Sequence, residues 1–405
     1  MTRPGTLAGG CVAGFAVSWN IANTGPVASV LASHYGVALG TVGLFAAVTF
    51  LAELVEMLPV GRAIDRFGPK RCALAALALC LAGNLGTTAG GGIVVALALR
   101  FLTGLGVGLG FVAGSLYVQS GAGGASPAAQ GIYGGMSLSG GGVALGLVPL
   151  LDGAFGWRAP FWSGAAIALA GFALVAAAPA TAGARRGAAV STRALLRDRS
   201  LARFGLLHSV SFGFSVIIGN WVVTLLERTA GYSRSAAGAV GALTLLGGIV
   251  GRPLGGWLTR GRDPRALLVG AVLGGGAATG LLAAAPSRPL DIVAAAVIGV
   301  CAGLPFGAVV SGATRAQPTA PGAAVGVMNI YPVATIVAGA PLVGLGFLGG
   351  AEGRAGFVVL AVLWAAAALA VPGVRGPAPR AATPRGDGRP ESARRSRRRA
   401  PTARP

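Results

Sequence analysis

The sequence contains twelve apolar runs of about 20 residues, the length that crosses the hydrocarbon core of a bilayer as a helix. They cover approximately residues 6–28, 40–60, 72–90, 93–117, 130–151, 160–179, 202–225, 236–257, 266–285, 290–311, 323–346 and 355–373. Only 11% of the 405 residues are charged, whereas soluble domains carry about a quarter. Other runs follow the first one closely, so we count it as a span and not as a cleaved signal peptide. We therefore predict an all-α membrane protein with twelve transmembrane helices.

The basic residues lie mainly in every second connection between the runs. A net charge of +21 would suggest nucleic acid binding in a soluble protein. With the N-terminus in the cytoplasm, the inner connections hold Arg3, Arg62, Arg66, Lys70, Arg71, Arg185, Arg186, Arg193, Arg197, Arg199, Arg203, Arg260, Arg262, Arg265 and Arg315, and the outer ones only Arg158, Arg228, Arg234, Arg288 and Arg354. This bias follows the positive-inside rule. It predicts cytoplasmic termini and a multi-pass protein of the inner (cytoplasmic) membrane, whose partner is the lipid bilayer and not nucleic acid.

A polar segment divides the chain into two sets of six runs. We predict an N-terminal bundle at 1–180, a cytoplasmic linker at 181–200, a C-terminal bundle at 201–373 and an Arg/Pro-rich tail at 374–405. Two alignments between the bundles, 59–71 with 253–265 and 134–151 with 326–343, suggest an internal repeat in the same orientation. The tail has almost no apolar residues and is expected to be disordered, either as a solvated segment or in contact with anionic lipid.

One short stretch gathers charge in a chain that otherwise avoids it. Residues 61–71 read GRAIDRFGPKR, and five of these eleven residues are ionised. We place the stretch in a cytoplasmic loop between the second and third spans. There, Gly61 would allow close helix approach, Gly68 a tight turn, and Asp65 a hydrogen bond to a helix N-terminus. Such a charge lock suits a gate, although basic residues alone would also arise between any two spans.

The same stretch resembles the signature loop of the major facilitator superfamily, G-x-x-x-D-R-x-G-x-[RK]-[RK]. The matching residues are Gly61, Asp65, Arg66, Gly68, Lys70 and Arg71. The counterpart in the second bundle carries Thr259 where Asp65 stands. RFLTGLGVG at 100–108 is similar to the fourth-helix pattern of the family with Thr103 in place of Gln, and FGWRAPFW at 155–162 resembles the connection between helices five and six. The resemblance implies two six-helix halves around a central cavity, and a transporter.

Three ionisable residues are expected inside the bilayer, where charge is costly and usually functional. Glu53 and Glu56 share a helix face, with Glu53 about 10 Å from the cytoplasmic end of its span. Low dielectric and a neighbouring carboxyl favour the protonated form, as a proton-carrying site needs. Alternatively, Glu56 reaches the interface and pairs with Arg62 or Arg66. In the family, an arginine at the place of Arg100 is linked to proton coupling or substrate binding; a static structural partner is the alternative.

Other polar or aromatic residues within the spans are predicted to line a substrate cavity. They are Asn20, Asn23, Tyr117, Gln119, Asn220, Trp221, Asn329 and Tyr331. Any one of them could instead bind neighbouring helices together. His208 is a second possible titrating group, or a packing histidine. The four cysteines have no metal-like spacing, and we expect no metal and no cofactor.

These features predict a secondary active transporter that acts as a monomer by alternating access. The sequence has no phosphate-binding loop, so the energy is expected to come from an ion gradient. The leading hypothesis is proton-coupled efflux of a drug-like or amphipathic small molecule. Uptake of a small organic anion through Arg100, or facilitated diffusion, is the alternative. A membrane enzyme would need a clustered acid, base or metal site, which the scattered acidic residues of the outer loops do not offer; a non-transporting sensor is a further alternative.

Overall fold

The computed structural model describes residues 3–180, 190–347 and 352–374, and every regular element among them is helical. The α-helices are α1 Pro4–Ala22, α2 Ala28–Tyr35, α3 Leu39–Val42, α4 Leu44–Phe67, α5 Pro69–Thr88, α6 Ile93–Gly121, α7 Pro127–Phe155, α8 Ala159–Ala177, α9 Thr192–Leu196, α10 Arg199–His208, α11 Phe214–Ala230, α12 Arg234–Leu258, α13 Arg265–Ala284, α14 Arg288–Gly303, α15 Phe306–Ala316, α16 Pro321–Leu345 and α17 Arg354–Ala366. Short 3₁₀ segments join α1 to α2 and α7 to α8, and a π-helical segment at Ser209–Gly213 joins α10 to α11.

Within the described residues, eleven helical runs are long and apolar enough to cross a membrane. The longest, Pro127–Ala177, has 51 residues, which is more than twice the roughly 20 that one crossing needs. It contains two helices, α7 and α8, joined at Gly156–Arg158. The twelve crossings and the cytoplasmic termini stay predictions.

The stretch 61–71 is not the loop that the sequence predicted. Helix α4 continues seven residues beyond its expected end to Phe67, and α5 begins at Pro69. Only Gly68 separates the two helices, with a φ of 87° that favours glycine. Proline is well tolerated at the first position of a helix, so the Gly-Pro pair allows a sharp change of direction without a loop.

The chain has an N-terminal part, residues 3–180, and a C-terminal part, residues 201–373. The same arginine contact occurs in both parts. Arg158, just before α8, donates to the carbonyl of Thr88 at the end of α5, at 3.2 Å. Arg354, at the start of α17, donates to the carbonyls of Ala283 and Ala284 at the end of α13, at 2.8 and 2.6 Å. The last carbonyls of a helix have no partner within the helix. Each part thus places an arginine at the corresponding junction to satisfy them.

The most extensive contacts between the N-terminal and C-terminal parts are those of α4 with α16 and of α7 with α12; α7 also packs against α15, and α6 against α16. Large apolar side chains such as Val94, Leu150 and Leu369 are largely exposed on the outside of the bundle, as expected for a surface in contact with lipid. Residues 181–189 of the predicted linker and 375–405 of the predicted disordered tail lie outside the described residues. The rest of the linker contains α9 and the beginning of α10.

Candidate functional site

The carboxylate of Asp65 joins the two parts of the chain at one end of the bundle. Its Oδ1 accepts a hydrogen bond from the amide of Gly322 at 2.8 Å, and its Oδ2 one from the amide of Ala323 at 2.9 Å. Both amides belong to the first turn of α16, which begins at Pro321. First-turn amides lack acceptors within the helix and carry partial positive charge. We call these two hydrogen bonds the Asp65 lock.

Glycine is sterically required beside the lock. A Cβ atom at Gly61, one turn before Asp65, would overlap the carbonyl of Gly322 and the Cα atom of Ala323. A Cβ at Gly326 would overlap the carbonyl of Met57. The backbones of α4 and α16 are therefore in direct contact, as small residues allow in membrane helices.

The basic residues of the stretch 61–71 have separate roles. Lys70 donates to the carbonyls of Ala176 and Ala178 at the end of α8, at 2.9 and 2.6 Å, which ties α5 to α8. Arg62 donates to the hydroxyl of Thr192 on α9. Arg66 lies over the ring of its neighbour Phe67, and Arg71 is exposed.

The second contact between the two parts, α7 with α12, carries no such lock. Thr259 occupies the position that corresponds to Asp65, and its hydroxyl turns back to the carbonyl of Gly255 at 2.8 Å. Close packing replaces the carboxylate, because a Cβ at Gly256 would overlap the carbonyl of Pro127. The end of the bundle is thus held by charge on one side and by backbone packing on the other.

A small cavity lies where the two parts of the chain meet. Its lining residues are Ile21, Glu53, Met57, Val107, Gly108, Phe111, Phe212, Asn329 and Val333, and we call it the interface cavity. Glu53 is 5% exposed, and its Oε1 has no hydrogen-bond partner among the described residues. The 14 steps from Glu53 to Phe67 rise by about 21 Å, which is the distance of Glu53 from the end of α4.

Glu56 lies one turn from Glu53 but is held differently. Its Oε1 accepts a hydrogen bond from the amide of Leu109 on α6 at 3.0 Å. Gly108 makes room for it, since a Cβ there would overlap the carboxylate. No ion pair of Glu56 with Arg62 or Arg66 occurs in the described part of the chain. The alternative in which Glu56 pairs with one of these arginines at the membrane surface therefore does not match the structure.

Arg100 is enclosed within the N-terminal part and does not contact Glu53. It is 1% exposed and donates to the backbone carbonyl of Asn20 and, at 2.9 Å, to Oδ1 of Asn23. The amide nitrogen of Asn23 in turn donates to the carbonyl of Pro160 at 2.8 Å. These partners belong to the same part of the chain, and Nε and Nη1 of Arg100 are buried without a hydrogen-bond partner among the described residues.

The sequence reasoning missed Arg252, which lies between the two parts. Arg252, on α12, is 2% exposed, and its Nη1 donates to the carbonyl of Gly134 on α7 at 2.8 Å. Its guanidinium lies 4.4 Å from the ring centre of Phe306 and 6.0 Å from that of Phe212. It has no carboxylate partner, and Nε no hydrogen-bond partner, among the described residues. The criterion that singled out Arg100, a charge within an apolar run, applies equally to Arg252 in the run 236–257.

Aromatic rings connect Arg252 to the interface cavity. The rings of Phe111 and Phe212 stack with centres 6.2 Å apart, and the ring of His208 stacks on Phe212 at 5.9 Å. His208 and Asn329 are both buried, and their side chains interact with each other. A cation, buried polar groups and apolar rings therefore lie together at this place.

Comparison with known proteins identifies the family. The family model described as Major Facilitator Superfamily matches residues 10–339, most of the chain. The chain belongs to the Major Facilitator Superfamily (MFS). It is accordingly a multi-pass membrane transporter, and members of this family are transporters, not enzymes.

Two kinds of relatives are similar to this MFS transporter. The "Probable nitrate/nitrite transporter NarK2" of Mycobacterium tuberculosis is 33% identical over 119 residues, which cover 28% of this chain and only 29% of that protein. The crystal structure of the human organic anion transporter MFSD10 matches with a TM-score of 0.75 at 16% identity, over 91% of this chain and 99% of that one. The Escherichia coli fucose:proton symporter FucP matches with a TM-score of 0.68 at 16% identity and the same coverage. At these identities the structures support the fold alone.

The residues predicted to line the MFS substrate cavity are not all in one place. Asn329 lines the interface cavity. Tyr117 donates to the carbonyl of Pro179 at 2.5 Å, within the N-terminal part. Gln119 accepts a hydrogen bond from Thr314 across the two parts at 3.0 Å.

The remaining predicted cavity residues lie away from the lining side chains. Asn20 and Asn23 hold Arg100. Trp221 donates to the carbonyl of Ala340 at 2.8 Å, the ring of Tyr331 packs on Gly205, and Asn220 is exposed.

Metal binding finds no support in the described part of the chain. No group of three or more His, Cys, Asp or Glu side chains there could hold a metal ion. The four cysteines, Cys11, Cys72, Cys80 and Cys301, are buried and free.

Proposed function

We propose that this MFS protein is a secondary active transporter that moves a small anion across the inner (cytoplasmic) membrane together with protons, by alternating access. The twelve crossings and cytoplasmic termini predicted from the sequence are part of this proposal. With the Asp65 end of the bundle in the cytoplasm, the Asp65 lock would close the carrier to the cytoplasm. Breaking it would let the two parts separate at that end and open the interface cavity to the cytoplasm.

The buried guanidinium of Arg252 carries the proposal. A cation without a countercharge costs several kcal/mol in a low-dielectric interior, and Arg252 cannot lose its proton. It lies between the two parts, on α12 against α7, where the rocking of one part against the other would expose it. A substrate anion would supply the missing charge. Arg252 thus takes the role that the sequence reasoning had given to Arg100.

The relatives support an anion in a limited way. The nitrate/nitrite transporter and the organic anion transporter are named for anions, whereas FucP is named for a sugar and a proton. The similarity to the first covers under a third of either chain. These names therefore suggest which substrates to test first, and the argument depends on Arg252.

Efflux of an amphipathic compound, the leading hypothesis from the sequence, has less support. A carrier of such compounds needs a wide apolar cavity, whereas the interface cavity is small and its lining includes Glu53 and Asn329. An apolar substrate would leave the buried Oε1 of Glu53 unpaired, at a cost of about 1–3 kcal/mol. If the protein transported cationic or neutral lipophilic compounds and not anions, efflux of an amphipathic compound would be the better proposal.

The proposal is tested by uptake into proteoliposomes. We would compare nitrate, p-aminohippurate, fucose and a lipophilic cation as substrates for the wild type, Arg252→Gln and Arg252→Lys, with the exposed Arg260→Gln as the matched control. We expect anion uptake in the wild type and in Arg260→Gln, loss of at least tenfold in Arg252→Gln, as about 1.4 kcal/mol would give, and partial activity in Arg252→Lys. Uptake of fucose or the cation only, or anion uptake that is unchanged in Arg252→Gln, would overturn it.

A further inference from the structure

We infer that His34, Trp157 and Arg158 form an acid-sensitive switch at the end of the bundle opposite the Asp65 lock, in which protonation of His34 releases the last turn of α2. Under the proposed function this end faces the outside of the cell, so acid in the outer solution would slow transport. That consequence rests on the proposed function, whereas the release itself does not.

The imidazole of His34 stacks on the indole of Trp157. The ring centres are 3.8 Å apart, and the ring planes differ by 10°. His34 is in the last turn of α2, and Trp157 lies in the short segment Gly156–Arg158 that joins α7 to α8. The stack is open to solvent, because both rings belong to the wall of an open cavity of about 470 Å³, lined by Ser29, Val30, Ser33, His34 and Trp157.

The position of the stack follows from its neighbour Tyr35. The ring of Tyr35 contacts the ring of Phe45 on α4, with the ring centres 5.9 Å apart. Phe45 is at the beginning of α4, whereas Asp65 is in its last turn. The stack therefore lies at the opposite end of this helix from the Asp65 lock, and it is separate from the interface cavity.

Arg158 places a cation against the same indole. Its guanidinium carbon is 4.4 Å from the ring centre of Trp157, and its Nε donates to the carbonyl of Thr88 at 3.2 Å, which holds it in place. Stacking removes part of the imidazole from water, and both this loss of solvation and repulsion by Arg158 disfavour the charged form of His34. The stack is thus fully present when His34 is neutral, and it is lost as the pH falls and the ring becomes charged.

Among the described residues packed around α2, His34 is the group that changes charge near neutral pH. Helix α2 packs chiefly against α3, the segment Gly25–Val27 and the segment Gly156–Arg158. The first two contain no titratable side chain, and the third contains only Arg158, which stays charged. Tyr35, on α2 itself, is of a residue type that titrates near pH 10. Acid therefore acts on this contact through His34.

The contacts on either side of this last turn do not depend on pH. Asn23, at the end of α1, donates to the carbonyl of Pro160 at 2.8 Å. Val27 and Leu31 are 2% and 0% exposed, and they anchor the beginning of α2 by apolar packing. The release should therefore be limited to the last turn of α2 and the residues that follow it.

The contact of Tyr35 with α4 links the switch to transport. Helix α4 carries both the Asp65 lock and Glu53 of the interface cavity, and it must move with the rest of the N-terminal part when the two parts rock. Release of α2 removes a brace from the outer end of α4. About one pH unit below the midpoint, about nine-tenths of His34 is protonated, so the rate should fall by up to about tenfold. In proton-coupled uptake, this would limit the entry of protons from an acidic outside.

The release is tested without any substrate, by the distance between spin labels on Ala38→Cys and Ala154→Cys in the full-length protein. Both positions are exposed, one just after α2 and the other just before the segment with Trp157. Between about pH 8 and pH 5, the interval in which histidine changes charge, we expect the distance to increase in a single titration.

Three further variants, each made in the labelled protein, identify the cause. In His34→Gln, which cannot become charged, the distance should stay at its value for pH 8. In Arg158→Gln, the response should weaken, because the protonated ring is no longer repelled from the indole. Ser33→Ala is the matched control, since it changes a neighbouring side chain of the same cavity without changing a charge, and it should keep the full response.

Exchange of nitrate or p-aminohippurate in proteoliposomes, with equal pH on both sides, measures the consequence for transport. The rate of His34→Gln divided by that of the wild type should be close to one at pH 8 and should rise severalfold at pH 5. Taking this ratio removes the effect of pH on all other groups.

A label distance that does not change with pH, or that changes equally in His34→Gln, overturns the inference. If the distance responds but the ratio of rates stays at one, the release stands and its effect on transport is overturned. If the wild type exchanges neither anion, the proposed function fails, and the label distances still decide whether the switch exists. Should His34→Gln fail to fold, an undiminished response in Arg158→Gln overturns the inference, and a weakened one supports it.

Discussion

Asp65 accepts a hydrogen bond at 2.8 Å from the backbone amide of Gly322, 257 positions away in the sequence. With its second hydrogen bond, to Ala323, it places a carboxylate on the N-terminus of a helix from the other part of the chain. This geometry uses two favourable effects at once, because the amides are free to donate and the helix dipole favours an anion there. Both effects are lost when α4 and α16 separate, so the lock specifically stabilises the closed form of this end.

Removing the charge of Asp65 should open this end of the bundle. In Asp65→Asn, one oxygen is replaced by a donor that cannot bind an amide N–H. Hydrogen bonds to charged groups contribute about 1.5–3 kcal/mol, so we expect a loss of about 2 kcal/mol, or a shift of roughly 30-fold toward the open form. Spin labels attached to Arg71→Cys and Arg260→Cys, on exposed positions of the two parts, would report the change as a longer distance. The native cysteines are buried, which favours labelling of the introduced ones.

The matched control for this change is Thr259→Val. Thr259 has the corresponding position in the repeat, but its hydroxyl bonds only to its own helix. The distance between the labels should therefore stay as in the wild type. An unchanged distance in Asp65→Asn would mean that the lock contributes nothing to the closed form.

A methyl group at Gly61 should act in the same direction by a different route. The Cβ of Gly61→Ala would meet the backbone of α16, which cannot move aside as a flexible side chain could. Overpacking costs about 1–3 kcal/mol, so the closed form should lose population and the same label distance should increase. Gly146→Ala, on α7, is the control because its Cβ would meet nothing within 4 Å. A stable closed form in Gly61→Ala would show that α4 and α16 can separate without opening this end.

Much of this architecture could be predicted from the sequence, because helix length and charge placement depend on local patterns. The ordered Gly, Asp and Arg spacing of 61–71 predicted a gate, and Asp65 does contact a helix N-terminus. The position of Gly68 between two helices also follows from its residue type. The prediction of a loop over residues 61–71 was wrong, because the charged turns of α4 continue the helix beyond the apolar run to Phe67.

The composition of the site was harder to predict, for a physical reason. An apolar run gives the depth of a residue but not the direction of its side chain, since the apolar residues surround these helices on all sides. Tyr117 and Trp221 therefore qualified for a cavity although they bond within their own part of the chain. Arg100 and Arg252 look alike in the sequence, since each is a charge within an apolar run. Only the packing of neighbouring helices shows that Arg100 bonds to Asn23 in its own part of the chain, whereas Arg252 contacts the N-terminal part from the C-terminal part.

The contact of Arg100 with Asn23 predicts a strong coupling between the two positions. In Asn23→Leu, the buried guanidinium loses its side-chain acceptor, and a hydrogen bond of a charged group contributes about 1.5–3 kcal/mol. In Arg100→Met, the charge is removed too, so we expect a smaller loss. The double variant should be about as stable as Arg100→Met alone. Thermal unfolding of the purified protein in detergent would measure this, and additive losses would show that the two side chains act independently.

The arginines of the structural repeat predict unequal losses of stability. Arg354 donates to three carbonyls, of Ala283, Ala284 and Thr229, whereas Arg158 donates to one, of Thr88, and lies over Trp157. At about 1 kcal/mol for each hydrogen bond, Arg354→Gln should cost about 3 kcal/mol. Arg158→Gln should cost about 1 kcal/mol, plus about 0.5–1 kcal/mol for the contact with the indole ring.

Thermal unfolding of the two variants side by side would measure the difference, with Arg71→Gln as an exposed arginine whose loss should change little. Arg354→Gln should have the lower melting temperature by a clear margin, because it leaves two carbonyls at the end of α13 and one on α11 without their donor. Equal melting temperatures would mean that water replaces the guanidinium at these helix ends. The repeated arginine contact would then contribute nothing measurable to stability.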